Sequence, residues 1–261
     1  MSSSWYSVYA PRPAASVRLY CLPCAGGGAT MFRAWADRLP PTVELRAVRL
    51  PGRHGWHPEP PFTDCTAAAH ALASGLGPEL HTPYVLFGHS MGALLAHELI
   101  LSLDRHELPP PALYVSASWL VEGTPIELLP DPADCDEQFV ETLRRFGGVP
   151  PEVLSDPEVL DFMLPALRSD FGLCRTYTYR AGATPFSVPV RAMGGVADTV
   201  TPVDRMARWR HHTERFLGTR SFPGDHFFLR GQADEIVAAL VDDIAAVMTD
   251  RAPVRRFTGE I

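Results

Sequence analysis

The sequence contains no lysine, and all 23 of its basic residues are arginine. A Schiff-base amine, a P-loop lysine and a lysine general base are therefore excluded, and whole reaction classes go with them. Long apolar runs are missing as well. No stretch reaches the ~20 residues a membrane helix needs, and the N-terminal MSSSWYSVYAPRPAAS has no basic segment leading into an apolar one. A cytoplasmic protein with no membrane partner is expected. Cysteine is sparse: Cys21, Cys24, Cys65, Cys135 and Cys174 form an odd set without a paired framework, which fits a reducing compartment. Cys21 and Cys24 make a C-x-x-C, but no second pair completes a tetrahedral site. They read as packing residues, and no metal is expected.

What is present suffices for one large core. The chain has 261 residues, 46% of them hydrophobic, and no break in composition divides it, so residues 1–261 read as a single domain. Thirty acidic residues against 23 basic ones give a net charge of -7, which repels a phosphate backbone, and nucleic acid is not an expected partner. A monomer is expected. Short β-rich runs bounded by Pro and Gly, at 17–22, 43–50, 84–88, 112–118, 188–193 and 219–224, alternate with helical segments at 29–39, 66–79, 91–103, 203–215 and 231–248. In the last of these, Ile236, Leu240, Ile244 and Val247 form the apolar stripe of a helix docked on a sheet. Strands alternating with helices predict an α/β fold with a mostly parallel, doubly wound sheet. Residues 1–15 and 250–261 read as tails.

One interval breaks the rhythm. Residues 120–182 separate two strands by far more than an ordinary connection, and they contain two helical patterns, DEQFVETLRRF and DPEVLDFMLPALRSDFGLCRTY. This helical insertion is expected to act as a lid, with Phe139, Leu143, Phe162, Leu164 and Leu167 partly lining a substrate chamber. Extra packing without gating is the alternative.

The chemistry centres on YVLFGHSMGALLAHELI, residues 84–100. A strand, G-x-S-x-G and a helix in succession form a nucleophile elbow, in which Gly88 and Gly92 let strand and helix approach and Ser90 sits strained at the helix N-terminus. Serine needs a base, and the base needs an acid to orient it. In this fold both follow the serine in the order acid, then histidine. Three histidines follow the insertion. His211 and His212 read as solvated helix residues, whereas His226 in FPGDHFFL holds the loop position of the base. Asp198, in RAMGGVADTVTP, leaves the end of a late strand and is the expected acid, with Thr201 as a helix cap. Asp225 is the rival, disfavoured because it adjoins the histidine it would have to orient. An oxyanion hole needs two N–H donors. Met91, after the nucleophile, and Ala25, in the glycine-rich LYCLPCAGGGATMF, are the choices.

These residues resemble a known family, the type II thioesterases, free-standing α/β-hydrolases that accompany modular polyketide and nonribosomal peptide synthases. The resemblance spans nearly the whole chain through CLPCAGGG, LPGRHGWHPEPPF, FGHSMGALLAHEL, RRFGGVPPEVL, GGVADTVTP and GDHFFL in order. Cys24 stands where a histidine is common, and His54 to His57 replace a more basic form of the P-G-R loop. The resemblance implies an α/β-hydrolase fold with a helical lid, and no cofactor. It also implies hydrolysis of acyl groups from the phosphopantetheine thiol of acyl or peptidyl carrier proteins, by a triad of Ser90, Asp198 and His226 with Met91 and Ala25 as oxyanion donors; Phe162 and Leu167, from the apolar positions of the insertion, are the expected substrate-binding residues. A carboxylesterase of small esters and a non-catalytic binding protein on the same scaffold are the alternatives. An acidic carrier would require a local basic patch, for which Arg144 and Arg145 or the group Arg205, Arg208, Arg210 and Arg215 are candidates. Pairing of these arginines with Asp204, Glu214 and other acids is the competing expectation.

Overall fold

In the computed structural model, residues 5–53, 59–120, 122, 126–180 and 184–250 are described. The apolar runs form strands β1 (Tyr6–Ser7), β2 (Val17–Leu22), β3 (Val43–Val48), β4 (Tyr84–His89), β5 (Leu113–Ala117), β6 (Val190–Gly195) and β7 (Phe216–Phe222). They join in one sheet of order β1-β3-β2-β4-β5-β6-β7, parallel throughout except for β1. Strands β2, β4 and β5 are buried along their whole length, as central strands covered on both faces must be.

Among the described residues seven α-helices connect and cover the sheet: α1 (Arg33–Ala36), α2 (Cys65–Leu76), α3 (Met91–Arg105), α4 (Asp136–Phe146), α5 (Pro151–Leu154), α6 (Pro157–Thr176) and α7 (Ala233–Asp250). One face of the sheet packs against α2, α3 and the insertion; the other packs against α1 and α7, where Ile236, Leu240, Ile244 and Val247 are buried as their spacing predicts. Caps fix the helix starts. The Asp64 carboxylate accepts from Ala67 N–H at 2.7 Å, and Asp156 accepts from Glu158 and Val159 ahead of Pro157, the first residue of α6.

Several local expectations are corrected. Residues 5–15 are no tail: β1 pairs antiparallel with the edge of β3, and the Arg12 guanidinium donates to the carbonyls of Ala36, Pro40 and Val43. Covering an exposed edge strand is the physical gain. Residues 1–4 and 251–261, parts of both expected tails, lie outside the described residues, as do His54 to His57. β7 starts three residues earlier than its sequence suggests and stops at Phe222, because Pro223 has no N–H for the ladder. The segment expected as a helix over 203–215 is a 3-10 helix, Arg205–His211, whose buried residues Met206 and Trp209 are three apart, the repeat of that tighter helix. The segment at 29–39 likewise divides into a 3-10 turn, Ala29–Phe32, and the short α1.

The insertion is firmly seated. Ser169 Oγ donates to Phe62 O at 2.6 Å, and the Arg230 guanidinium donates to the carbonyls of Gly148 at 2.6 Å and Gly147 at 3.2 Å, tying the end of α4 to the core. Phe139, Leu143 and Leu164 fill its interior and join the main hydrophobic cluster. None of the three lines either of the two cavities beside the site.

Candidate active site

The elbow is built by close approach. A Cβ on Gly88 would lie 2.3 Å from Gly92 O, and one on Gly92 would lie 2.1 Å from Leu22 O, so β4, α3 and the end of β2 meet only because both positions lack a side chain. The turn between them holds Ser90 at φ 53, ψ -118, a region few non-glycine residues occupy. Ser90 N–H is secured by Ala117 O at 2.8 Å. Its side chain is thereby lifted to the head of α3, where Met91, the first helical residue, has an N–H without an intrahelical acceptor.

The loops after β6 and β7 bring the other two groups to it. His226 Nε2 lies 2.9 Å from Ser90 Oγ, and His226 Nδ1 lies 3.0 Å from Asp198 Oδ2. Both His226 and Asp198 are buried. Asp198 also accepts from Val200 N–H at 2.9 Å, from Thr201 N–H at 2.8 Å and from the Thr201 hydroxyl at 2.6 Å. Burial acts to raise the Asp198 carboxyl, but its bonds to His226 and Thr201 outweigh it and hold the group at about 2. Thr201 is therefore a partner of the acid, not a helix cap. Asp225, exposed, accepts from Phe227 N–H at 2.8 Å and shapes the loop.

Sequence reasoning missed two residues that hold the imidazole. His89, directly before Ser90, is fully buried and donates from Nε2 to His226 O at 2.8 Å, joining the elbow to the histidine loop. Burial and the neighbouring His226 push the His89 imidazole down to about 3, so it remains neutral and cannot serve as a rival base near neutral pH. Phe146, the last residue of α4, packs its ring against that of His226 with centroids 5.4 Å apart. Replacing His89 with Phe should leave the buried His226 carbonyl without its donor. A loss of about 1–3 kcal/mol is expected in urea unfolding, together with lower turnover, and an unchanged midpoint would show that this bond carries no weight.

The glycine-rich loop expected to supply Ala25 follows β2. Gly26 has φ +71, and a Cβ there would lie 2.4 Å from Leu167 Cδ2, so α6 rests directly on the loop that carries Ala25. Leu167 is 1% exposed; Phe162, on the same helix, is 63% exposed and lines a small cavity of about 50 Å³ with Gly26, Gly52, Arg53, Met163 and Ala166. Two larger cavities flank His226. One, of about 610 Å³, is lined by His226, Asp225, Phe146, Arg145 and Thr199 among others; the second, of about 390 Å³, includes Gly26 to Gly28, His89, Phe227 and Met163. The basic groups divide between the two expectations. Arg144 pairs with Glu141 at 3.1 Å and Arg215 with Asp250, while exposed Arg145 stands at the rim of the larger cavity. His212 is half-buried against Tyr179 and Trp209, contrary to its reading as a solvated residue. Burial lowers its imidazole below the usual range. All five cysteines are free; burial pushes the Cys24 thiol up to about 11. Among the described residues no group of three His, Cys, Asp or Glu side chains is placed to hold a metal, and no helix is long and apolar enough to cross a membrane.

A serine hydroxyl, an imidazole and a carboxylate connected in this way, at the carboxyl ends of parallel strands, have the arrangement found in α/β-hydrolases. Comparison with known proteins agrees. Residues 17–244 match the thioesterase domain family. The gramicidin S biosynthesis protein GrsT of Aneurinibacillus migulanus is 33% identical over 95% of this chain and 97% of its own, and thioesterase PikA5 of Streptomyces venezuelae is 35% identical over 98% and 90%. The solved type II thioesterase BorB from the borrelidin biosynthetic cluster superposes with a TM-score of 0.81 at 32% identity, covering 93% of this chain and 98% of that one. The chain belongs to the thioesterase family, as a type II member of the kind that accompanies nonribosomal peptide and polyketide synthases.

Proposed function

We propose that this enzyme clears acyl groups from the phosphopantetheine thiol of acyl or peptidyl carrier proteins through an acyl-serine intermediate. The observation that carries the mechanism is the unbroken chain of hydrogen bonds from Ser90 Oγ through His226 to Asp198. In this reading Ser90 Oγ attacks the thioester carbonyl and gives its proton to His226 Nε2. The Met91 and Ala25 N–H groups receive the oxyanion, and the carbonyl re-forms as the thiol leaves with the proton from His226. Water, deprotonated by the same imidazole, then releases the carboxylic acid and restores Ser90. Asp198, ionised throughout, keeps the Nδ1 proton of His226 in place. None of these steps calls on a cofactor.

The substrate class is supported by the relatives, a gramicidin S biosynthesis protein and a type II thioesterase from the borrelidin cluster. In the same reading residues 120–182 are a lid over one domain, Arg145 at the cavity rim meets the acidic carrier, and a monomeric protein works in the reducing cytoplasm that its five free thiols fit. The test is steady-state hydrolysis of acyl carrier protein thioesters against matched oxygen esters. Preference for the oxygen esters would make the protein a carboxylesterase.

Phe162 and Leu167 flank the acyl group in this reading, because both lie on the face of α6 near Gly26. Phe162→Ala should shift chain-length preference with less than about 0.5 kcal/mol change in stability, since the side chain is largely exposed. Leu167→Ala should shift preference too, at a cost of about 2–5 kcal/mol for the cavity it leaves. Unchanged selectivity from C2 to C10 in both variants would return these residues to packing.

A further inference from the structure

Asp170 lies on α6, is 4% exposed and belongs to no part of the proton relay. One of its oxygens, Oδ2, accepts from the Gly26 N–H at 2.7 Å and pairs with the Arg53 guanidinium, which is also buried. Three segments far apart in sequence therefore converge on a single atom: the oxyanion loop, the loop after β3 and the helical insertion. Burial lifts the Asp170 carboxyl above the ordinary carboxylate value, opposed by Arg53 and the Gly26 N–H.

The loop it grips has a defined geometry. Gly27 N–H donates to Cys24 O at 2.9 Å, and Gly26, the third residue of that four-residue turn, has φ +71 while Ala25 does not have positive φ. This is a type II turn, which differs from type I mainly by rotation of the central peptide, here Ala25–Gly26. The Asp170 carboxylate holds that peptide by its N–H, whereas the flipped peptide would turn the Ala25 carbonyl toward a carboxylate. The Cys24 carbonyl points into the turn at Gly27, so across a trans peptide the Ala25 N–H points out of it. Three residues before Asp170 on the helix, Leu167 fills the space where Gly26 has no side chain. The turn is thus clamped from inside by its own hydrogen bond and from the insertion by a charge and an apolar contact.

We propose that Asp170 is a positioning residue of the reaction: through the Gly26 N–H it fixes the turn that presents the Ala25 N–H, so the oxyanion hole is complete only while the helical insertion is seated on the core. This rests on the assignment of Ala25 as an oxyanion donor. Its consequence is that displacement of α6, by substrate or carrier, loosens the oxyanion hole, linking access to catalytic competence.

The test compares Asp170→Ala and Asp170→Asn with the wild type on a short acyl thioester of N-acetylcysteamine, and measures the affinity for an acyl trifluoromethyl ketone, whose adduct carries an oxyanion. Loss of an oxyanion donor lowers kcat by about 10²–10³-fold. Asp170→Ala should lower kcat by about 10²-fold, with KM changed by less than about threefold and with ketone affinity reduced in step with kcat/KM. Asp170→Asn retains an oxygen for the Gly26 N–H and should recover part of that loss, to about a tenfold deficit. It also serves as the decisive variant should Asp170→Ala not fold. Wild-type kcat and ketone affinity in folded Asp170→Asn, or a rise in KM alone, would overturn the proposal. Ser90→Ala in parallel separates the two readings. If it is inactive while the Asp170 variants are fully active, only the positioning role fails; if it is active, the reading of the site itself fails.

Discussion

Ser90→Ala and His226→Ala are each expected to lower kcat by about 10⁴-fold or more, and Asp198→Asn by about 10³–10⁴-fold, with combined replacements scarcely worse than single ones. The reason is geometric. The bonds of 2.9 Å and 3.0 Å on the two sides of the His226 ring leave one productive tautomer, with the proton on Nδ1 facing Asp198 and the lone pair on Nε2 facing Ser90. An asparagine at position 198 can offer an N–H where a carboxylate must accept, which favours the opposite tautomer and takes the lone pair away from the serine. Asp225→Asn, on an exposed side chain bonded to Phe227 N–H, should retain most of the activity. A fluorophosphonate should add its mass at Ser90 in the wild type, and labelling of a different serine would remove Ser90 from the mechanism.

The same substitution carries a pH signature. The Asp198 carboxyl is held at about 2, below its ordinary 3.8, so its ionised form favours the folded state. That contribution, about 2 kcal/mol, is fully present above the ordinary value and is lost as pH falls toward 2. The stability gap between wild type and Asp198→Asn should therefore be constant from about pH 5 upward and shrink between pH 4 and pH 2 in denaturant unfolding. A gap unchanged down to pH 2 would mean that the carboxylate is not what stabilises this loop.

The hydrogen-bonded set of Ser90, His226 and Asp198 was legible in the sequence because each member sits in a local pattern. Ser90 lies between two glycines at a strand-to-helix boundary, Asp198 follows a strand and two glycines, and His226 precedes the last helix. The strands were legible for a related reason: central parallel strands are buried on both faces and read as continuous apolar runs. Residues that act across long sequence separations were not legible. Gly26 and Asp170 are 144 positions apart, and His89 and His226 are 137 apart. Nothing in the neighbourhood of either partner announces the other. His89 did have a signal, its place beside the nucleophile, but a histidine there could be a base or a buried neutral donor, and only its burial decides. The apolar residues of the insertion show the same limit. Periodicity identifies Phe139, Leu143 and Leu164 as the inner face of helices without saying whether that face meets a substrate or the insertion's own core, and they join the core. The helical segment expected over 203–215 is a 3-10 helix, and its sequence does not announce this, because the pair Met206 and Trp209, spaced by three, fits both helical repeats.

Gly92→Ala is expected to be among the most damaging glycine-to-alanine changes at the described residues. The added Cβ would stand 2.1 Å from Leu22 O and 2.7 Å from Pro23 O, and both contacts are with backbone at the end of a central strand. A side chain in the way could rotate; these carbonyls can recede only if α3 separates from β2 or the strand end bends. Overpacking a core generally costs about 1–3 kcal/mol, and a clash with main chain in the middle of the sheet belongs above that range. A loss of more than about 3 kcal/mol corresponds to a Tm lower by at least about 6 °C for a domain of this size. Activity should fall further than stability, because the packing of α3 on the strands keeps Ser90 at φ 53 and holds Met91 as the first residue of the helix. Gly28→Ala supplies the control. Its φ is -138 and a Cβ there meets nothing within 4 Å, so its Tm should stay within about 2 °C of the wild type, under the ~0.5 kcal/mol of an uncrowded site. Should Gly92→Ala melt and turn over like Gly28→Ala, the nucleophile helix does not approach β2 as closely as this elbow requires, and the strained serine has another origin.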